Sequence, residues 1–240
     1  MESQTILNGG VNSLGLMNKP SSSQVIPSSS NAPYEIIHLK EEDTIFKEGE
    51  VSRGLYYVQS GCVKVMVNRD HARGRTTTNE FVTKLVSAGE YFGYKSLVNG
   101  TALQHHAKAV KPSVVWLYPR ELIQVALSHA SPLVKLLLNQ AVSDLETFET
   151  TSQLHYLASV QERIAYQLIM LADKFGTQTP QGVSLNLKLT RNEFAQLAST
   201  INESLSRHLT EFKNEGLIDL NGKEIIIKNR DGLMKRSGNF

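Results

Sequence analysis

Cysteine is nearly absent. Cys62 stands alone in 240 residues, so the chain holds no internal disulfide and cannot supply the several thiolates of an iron–sulfur cluster. No apolar run approaches the ~20 residues that span a bilayer, and the N-terminus lacks a basic start followed by an apolar stretch. The expectation is a cytoplasmic protein without signal or membrane segment. A large excess of one charge is missing too: the formal net charge is +2, too small for the field alone to announce a nucleic-acid binder. There is no phosphate-binding glycine loop and no nucleophile elbow. The neighbours His105 and His106, as strand residues, point to opposite faces and cannot both ligate one inward metal. Catalysis, a resident metal and a required cofactor are therefore not expected.

What is present is a globular composition, 40% hydrophobic and 20% charged, over a length comfortable for two domains. Residues 1–33 contain SSSQVIPSSSNAP and no apolar periodicity, and are expected to be a disordered tail. A first domain is expected over 34–130, and from Tyr34 to about Tyr118 it shows period two, in Leu55 and Tyr57, in Val63, Val65 and Val67, in Phe81, Thr83 and Leu85, and in Val114, Trp116 and Tyr118, with glycines between. Many short strands with glycine turns predict a β-barrel or sandwich.

The register then becomes helical. Pro119 precedes RELIQVAL, and Pro132 opens a segment in which Leu138, Ala141, Leu145 and Phe148 recur at steps of three and four, as proline at the first turn and an apolar stripe predict. A helix of roughly 25 residues is about 38 Å long, more than a small barrel needs for cover. Residues 131–158 are therefore expected to pair with a second copy along that stripe, with packing on the chain's own β-domain covering part of it. Ser159 followed by Glu162 is a capping box, so a last domain spans 159–240.

Within it, LTRNEFAQLASTINESLSRHLTEFKNEGLI holds two helical patterns too close for an ordinary loop. Thr190 and Glu193 form another capping box. Phe194 and Leu197 give the first helix an inner face, and the break falls at Ser199–Asn202. In the second helix Leu205, Leu209 and Phe212 are the buried stripe, which leaves Glu203, Ser206, Arg207 and Thr210 opposite. Gly216 stops it. A short helix, a tight turn and a longer helix with a polar outer face make a helix-turn-helix, whose second helix enters the major groove of DNA. The following LIDLNGKEIIIKN predicts two strands around an Asn221-Gly222 turn, a wing with Lys223 at its tip.

These pieces together resemble the cyclic-AMP receptor protein and fumarate-nitrate regulator family of bacterial transcription factors. The resemblance runs from about Tyr34 to Asn229 and rests on GLYYVQSGCVKV, the long helix, VQERIAYQLIMLA, LTRNEFAQLA with NESLSRHL, and EGLI. It implies an α+β architecture: an N-terminal double-stranded β-helix (jelly-roll) of the cyclic-nucleotide-binding kind, a dimerisation helix, and a winged helix-turn-helix on a roughly palindromic double-stranded site, with RNA polymerase as a candidate partner. Where relatives carry Arg-Glu-x-x-x-Arg, this chain has Asn202, Glu203 and Arg207. Arg207 is the candidate for guanine, Glu203 for a cytosine amino group and Asn202 for adenine, with Ser206 beside them. Thr190, Arg191, Ser204 and Lys223 are phosphate candidates, although a solvated surface position accounts for Arg191 equally well.

The loop FGYKSLVNGTALQHHAKA departs further from the family. Cyclic-nucleotide binders resemble Gly-Glu-x-(small)-Leu followed by Arg-(Ser/Thr)-Ala, in which glutamate holds a ribose hydroxyl and arginine the phosphate. Here Gly93 is retained, Tyr94 replaces the acid, and Leu103-Gln104 stand where the arginine belongs. Loss of a buried ion partner for phosphate costs several kcal/mol, so cyclic nucleotides are disfavoured. Two readings stay open: a small anion on Lys95, His105 or His106 with Ser96 and Gln104 nearby, or a turn whose tyrosine and leucines fill the pocket themselves.

Overall fold

The computed structural model describes residues 33–68, 80–129, 131–185 and 187–238; the expected tail, but for Pro33, lies outside them. β1 (Glu35–Leu39) and β2 (Thr44–Phe46) are followed by β3 (Gly54–Asn68), β4 (Glu80–Ser87), β5 (Tyr91–Phe92), α1 (Tyr94–Asn99) and β6 (His106–Pro119). The sheet runs β1-β6-β3-β4, with β2 on β6 and β5 on β3, and all pairings are antiparallel. The long strands β3 and β6 slip register together between Val58 and Val63, and this folds the sheet back on itself as a roll. Gly61 makes the bend possible: it has φ 99°, and a Cβ there would lie 2.1 Å from Ser113 Oγ. That hydroxyl accepts from the Cys62 amide at 3.0 Å and donates to the Lys111 carbonyl at 2.7 Å.

The expected alternation holds only in part. Tyr56, Val58, Val63, Ala107 and Val115 fill the roll with Phe46 and Phe92. Leu55, Tyr57 and Tyr118 point the other way and are buried as well, beneath Ile123 of α2 (Arg120–Leu127) and Leu137 of α3 (Pro132–Leu157). A strand covered on both sides reads as a continuous apolar run, and the segment from Leu55 to Val58 does. In β4 the anticipated triad is displaced: Thr83 is exposed and Phe81 half-buried, while Val82, Leu85 and Val86 are buried. A register shift opposite Val65 and Met66 in β3 accounts for the change.

The C-terminal half comprises α4 (Val160–Phe175), β7 (Gly176–Thr179), β8 (Gly182–Leu185), α5 (Arg191–Leu197), α6 (Asn202–Asn214), β9 (Ile218–Asn221), β10 (Glu224–Ile227) and α7 (Arg230–Arg236). Both capping boxes form, at Ser159–Glu162 and Thr190–Glu193. The wing hairpin is one residue later than the sequence suggests: Asn221 pairs with Glu224, and Gly222 and Lys223 make the turn, with φ 61° at the glycine. Ile164, Leu168, Leu205, Leu209, Phe212 and Leu233 form the core, which continues onto Cys62, Met66, Val82, Leu85 and Val110 of the roll. Burial pushes the Cys62 thiol up to about 12, so it is an inert packing group. No single helix among the described residues is long and apolar enough to cross a membrane.

Candidate nucleic-acid interface and sensory cleft

α6, the second helix of the helix-turn-helix, is built as its sequence pattern dictates. Leu205, Leu209 and Phe212 are fully buried against α4 and α5, which turns Asn202, Glu203, Ser206, Arg207 and Thr210 into solvent. Ser204 is half-buried at the first turn. The turn before it is tight: Ser199 has φ 50°, and the Thr200 amide donates to the Ala195 carbonyl at 2.9 Å, an approach that the small Ala195 permits. Arg163 of α4 fixes this turn from below. Its guanidinium donates to Ala198 O at 3.2 Å, Ser199 O at 3.1 Å and, across the interdomain connection, Ala158 O at 2.8 Å.

The phosphate candidates converge less uniformly. Thr190 Oγ1 accepts from the Glu193 amide at 3.1 Å as the cap of α5. Arg191 is half-buried and donates to the Gly222 carbonyl at 3.3 Å, so it braces the wing against α5; burial lowers its pKa from the usual value. Lys223 is exposed at the wing tip. Among the described residues, neither Arg207 nor Glu203 has an ion-pair partner in the molecule, so both side chains are free to meet an outside partner.

All six effector-loop candidates, Gly93, Tyr94, Lys95, Ser96, Gln104 and His105, line one cleft of about 390 Å³ between the roll and α3. Phe46, Phe92 and Leu103 form its apolar part, and Lys84, Asp144, Thr147, Phe148 and Thr151 contribute as well. Tyr94 is buried and donates to Asp144 Oδ2 at 2.9 Å. Asp144 also pairs with Lys84 and accepts from Gln140 Nε2 at 2.9 Å. Burial first, then the Asp144 carboxylate, pushes the Tyr94 phenol up, so it stays a neutral donor. His105 is held below its ordinary value by burial and by Lys95. His106 turns away to Glu48, with Nε2 3.3 Å from Oε2, so it is not a cleft residue. The second reading, a self-filled turn, applies to Tyr94 but leaves open space beside it.

The family comparisons agree with this layout. Residues 36–129 match the cyclic nucleotide-binding domain, and residues 162–236 match the Crp-like helix-turn-helix domain. The chain is a Crp/Fnr-type DNA-binding transcription regulator. It is 26% identical over 206 residues to the electron transport regulator A of Shewanella oneidensis, covering 84% of this chain and 78% of that one. It is also 26% identical over 194 residues to the CRP-like cAMP-activated global transcriptional regulator of Mycobacterium tuberculosis, covering 81% and 84%. A Crp/Fnr-family regulator of Thermus thermophilus shares the fold at TM-score 0.71 and 21% identity, over 85% of this chain and 98% of that one.

In this Crp/Fnr-type regulator Lys84, Gln140 and Asp144 were not singled out by sequence reasoning. An acid four residues after Gln140, in a helix otherwise striped with leucine, was the available signal. Gly93, which lines the cleft, is required by the roll core behind it. It has φ 77°, and a Cβ there would sit 2.8 Å from Tyr56 Cδ2. Gly93→Ala is expected to lower stability by about 2 kcal/mol through backbone strain and overpacking, which thermal unfolding will register.

Proposed function

We propose that the regulator binds a roughly palindromic duplex as a homodimer, with Arg207 and Glu203 reading bases and Asn202 and Ser206 completing the contact. The observation that carries this reading is the fully exposed polar face of α6 above its fully buried stripe. Thr190, Ser204 and Lys223 fix register on phosphates, and Arg191 supports them through the wing. No catalytic role is assigned, RNA polymerase remains a candidate partner, and the cytoplasm is the expected location. Arg207→Ala is expected to cost ~1–3 kcal/mol on the preferred duplex, with much less loss on random DNA. Fluorescence-anisotropy titrations on both duplexes test it. Equal loss on the two overturns the base-reading role.

The cleft is proposed to take a small anion on Lys84, Lys95 and the ring of His105, with cyclic nucleotides disfavoured because Tyr94 and Gln104 replace the charged anchors. A thermal-shift series of cyclic nucleotides and small carboxylates tests it, since a ligand at 100 times its Kd adds about 2.7 kcal/mol. No shift with any of them supports the self-filled reading.

A further inference from the structure

The middle of α3 is held to the roll mainly by polar contacts. Leu137 and Leu154 are the buried residues of this helix, about 26 Å apart along it, and among the described residues between them only Ala141 joins an apolar cluster. Every hydrogen bond from this stretch to the roll, among the described residues, ends on Gln140 or Asp144. The Tyr91 amide of β5 donates to Gln140 Oε1 at 3.3 Å, and the Tyr94 hydroxyl of α1 donates to Asp144 Oδ2 at 2.9 Å. Lys84 of β4 pairs with Asp144 Oδ1, to which Gln140 Nε2 also donates at 2.9 Å. The tie is withdrawn from water: the side chains of Lys84 and Asp144 are 28% and 16% exposed, and Tyr94 is buried.

We infer that Asp144 is a positioning residue of the DNA-bound pair: its tie to Lys84 and Tyr94 sets the rotation of α3 about its own axis, and through it the spacing and facing of the two reading helices. The inference rests on the homodimer reading. The apolar stripe cannot set that rotation alone. At about 100° per residue, Val134, Leu138, Val142, Leu145 and Phe148 spread over about 120° of the helix, wider than a strict coiled-coil seam, and burial of such a face is non-directional. Neighbouring rotations bury it almost equally well. Gln140 and Asp144 lie about 120° round the helix from the middle of the stripe, so they grip α3 from the roll side and leave the stripe to the second copy. An ion pair removed from water adds little net stability over apolar residues of the same volume, and its best-attested use is to fix a register. The setting is then carried onward. Arg163 of α4 donates to the Ala158 carbonyl just past the end of α3 and to the Ala198 and Ser199 carbonyls before α6, so a rotation of α3 is passed to the reading helix rather than lost at the connection.

The test uses the full chain and the half-site that the wild type selects from a random pool, built into palindromes of several separations. Moving one half-site by two base pairs turns it about 70° round the duplex. The wild type is expected to bind its preferred separation about tenfold or more tighter than the shifted one. Lys84→Met together with Asp144→Leu removes both charges, keeps the volume and leaves no ion without a partner. That preference is expected to fall below about threefold while the chain still sediments as a dimer. A residue that only supported the fold would weaken both palindromes in proportion, so an unaltered preference overturns the inference. Loss of the dimer overturns it as well, since the tie would then hold the pair together rather than orient it. Should the double variant fail to fold by circular dichroism, Tyr94→Phe removes one hydrogen bond and no charge; it is expected to lower the preference about threefold, and no change is again the refuting result. A wild type that sediments as a monomer, or binds all separations equally, fails at the homodimer reading itself and takes the inference with it.

Discussion

The pair Leu145→Glu and Phe148→Glu is expected to leave the regulator monomeric and to weaken binding to a palindromic duplex by about 100-fold or more. α3 has two sides. Leu133, Leu136 and Leu137 meet the roll and α2, whereas Val134, Leu138, Val142, Leu145 and Phe148 face solvent, Leu138 at 61% and Phe148 at 68% exposure. Monomers rarely leave a contiguous apolar strip of this kind uncovered. The spacing of 134, 138, 141, 145 and 148 is that of a coiled-coil seam. Ala141 belongs to the part of the stripe that the chain's own β-domain covers: it is half-buried against the roll-side cluster. Each large side chain removed from water contributes about 2 kcal/mol, and two glutamates per chain replace that gain with like-charge repulsion. The effect on DNA follows from geometry. Two tethered readers bind with an effective concentration near the millimolar range, and their separation forfeits roughly 10²–10⁴ in avidity. Sedimentation velocity and duplex titration measure the two parts, with circular dichroism as the control for folding. A wild-type chain that sediments as a monomer at micromolar concentration refutes the seam.

The same helix shows how far the sequence was legible. Its apolar stripe, its proline start and the capping boxes at Ser159 and Thr190 are local signals: each depends on residues within one or two turns, and each formed as read. The stripe of Leu205, Leu209 and Phe212 belongs to this class too, and with it the outward set from Glu203 to Thr210. What stayed hidden depends on distant partners. Lys64 alternates with valines in a strand and reads as a solvent-facing residue, but its buried place is set by Glu193, 129 positions later. Asp144 reads as one acid among several on a long helix, and only the roll supplies Lys84 and Tyr94 to it. Phe148, expected in the seam, also lines the cleft. β7, β8 and α7 were not anticipated: the two strands are four residues each, and α7 starts from Asn229, whose side chain accepts from the Gly232 amide at 2.8 Å, a cap three residues before a glycine that breaks the usual helical pattern.

Arg163→Met should have the larger consequence for folding, about 3 kcal/mol, although the residue touches neither the cleft nor the reading face. Its three hydrogen bonds end on carbonyls that no helix can use: Ala158 in the extended connection after α3, and Ala198 and Ser199 in the turn between α5 and α6. A hydrogen bond from a charged donor contributes about 1.5–3 kcal/mol, and each buried acceptor left without a partner costs about 1–3 kcal/mol. Methionine keeps the stem and its packing, so the deficit measures the guanidinium. The turn is also where strain is stored, since Ser199 is a non-glycine residue at φ 50°, and the carbonyls that Arg163 holds are those flanking it. Loss of the clamp should therefore loosen the entry into α6 before it loosens the core. Thermal unfolding is expected to show a lower midpoint, and hydrogen exchange is expected to rise first at the entry into α6 while the core around Tyr56 and Phe92 keeps its protection. Discrimination between preferred and random duplex should fall together with the midpoint, because Arg207 is then presented from a helix whose start is no longer fixed. Retention of full discrimination at reduced stability would confine Arg163 to holding the fold.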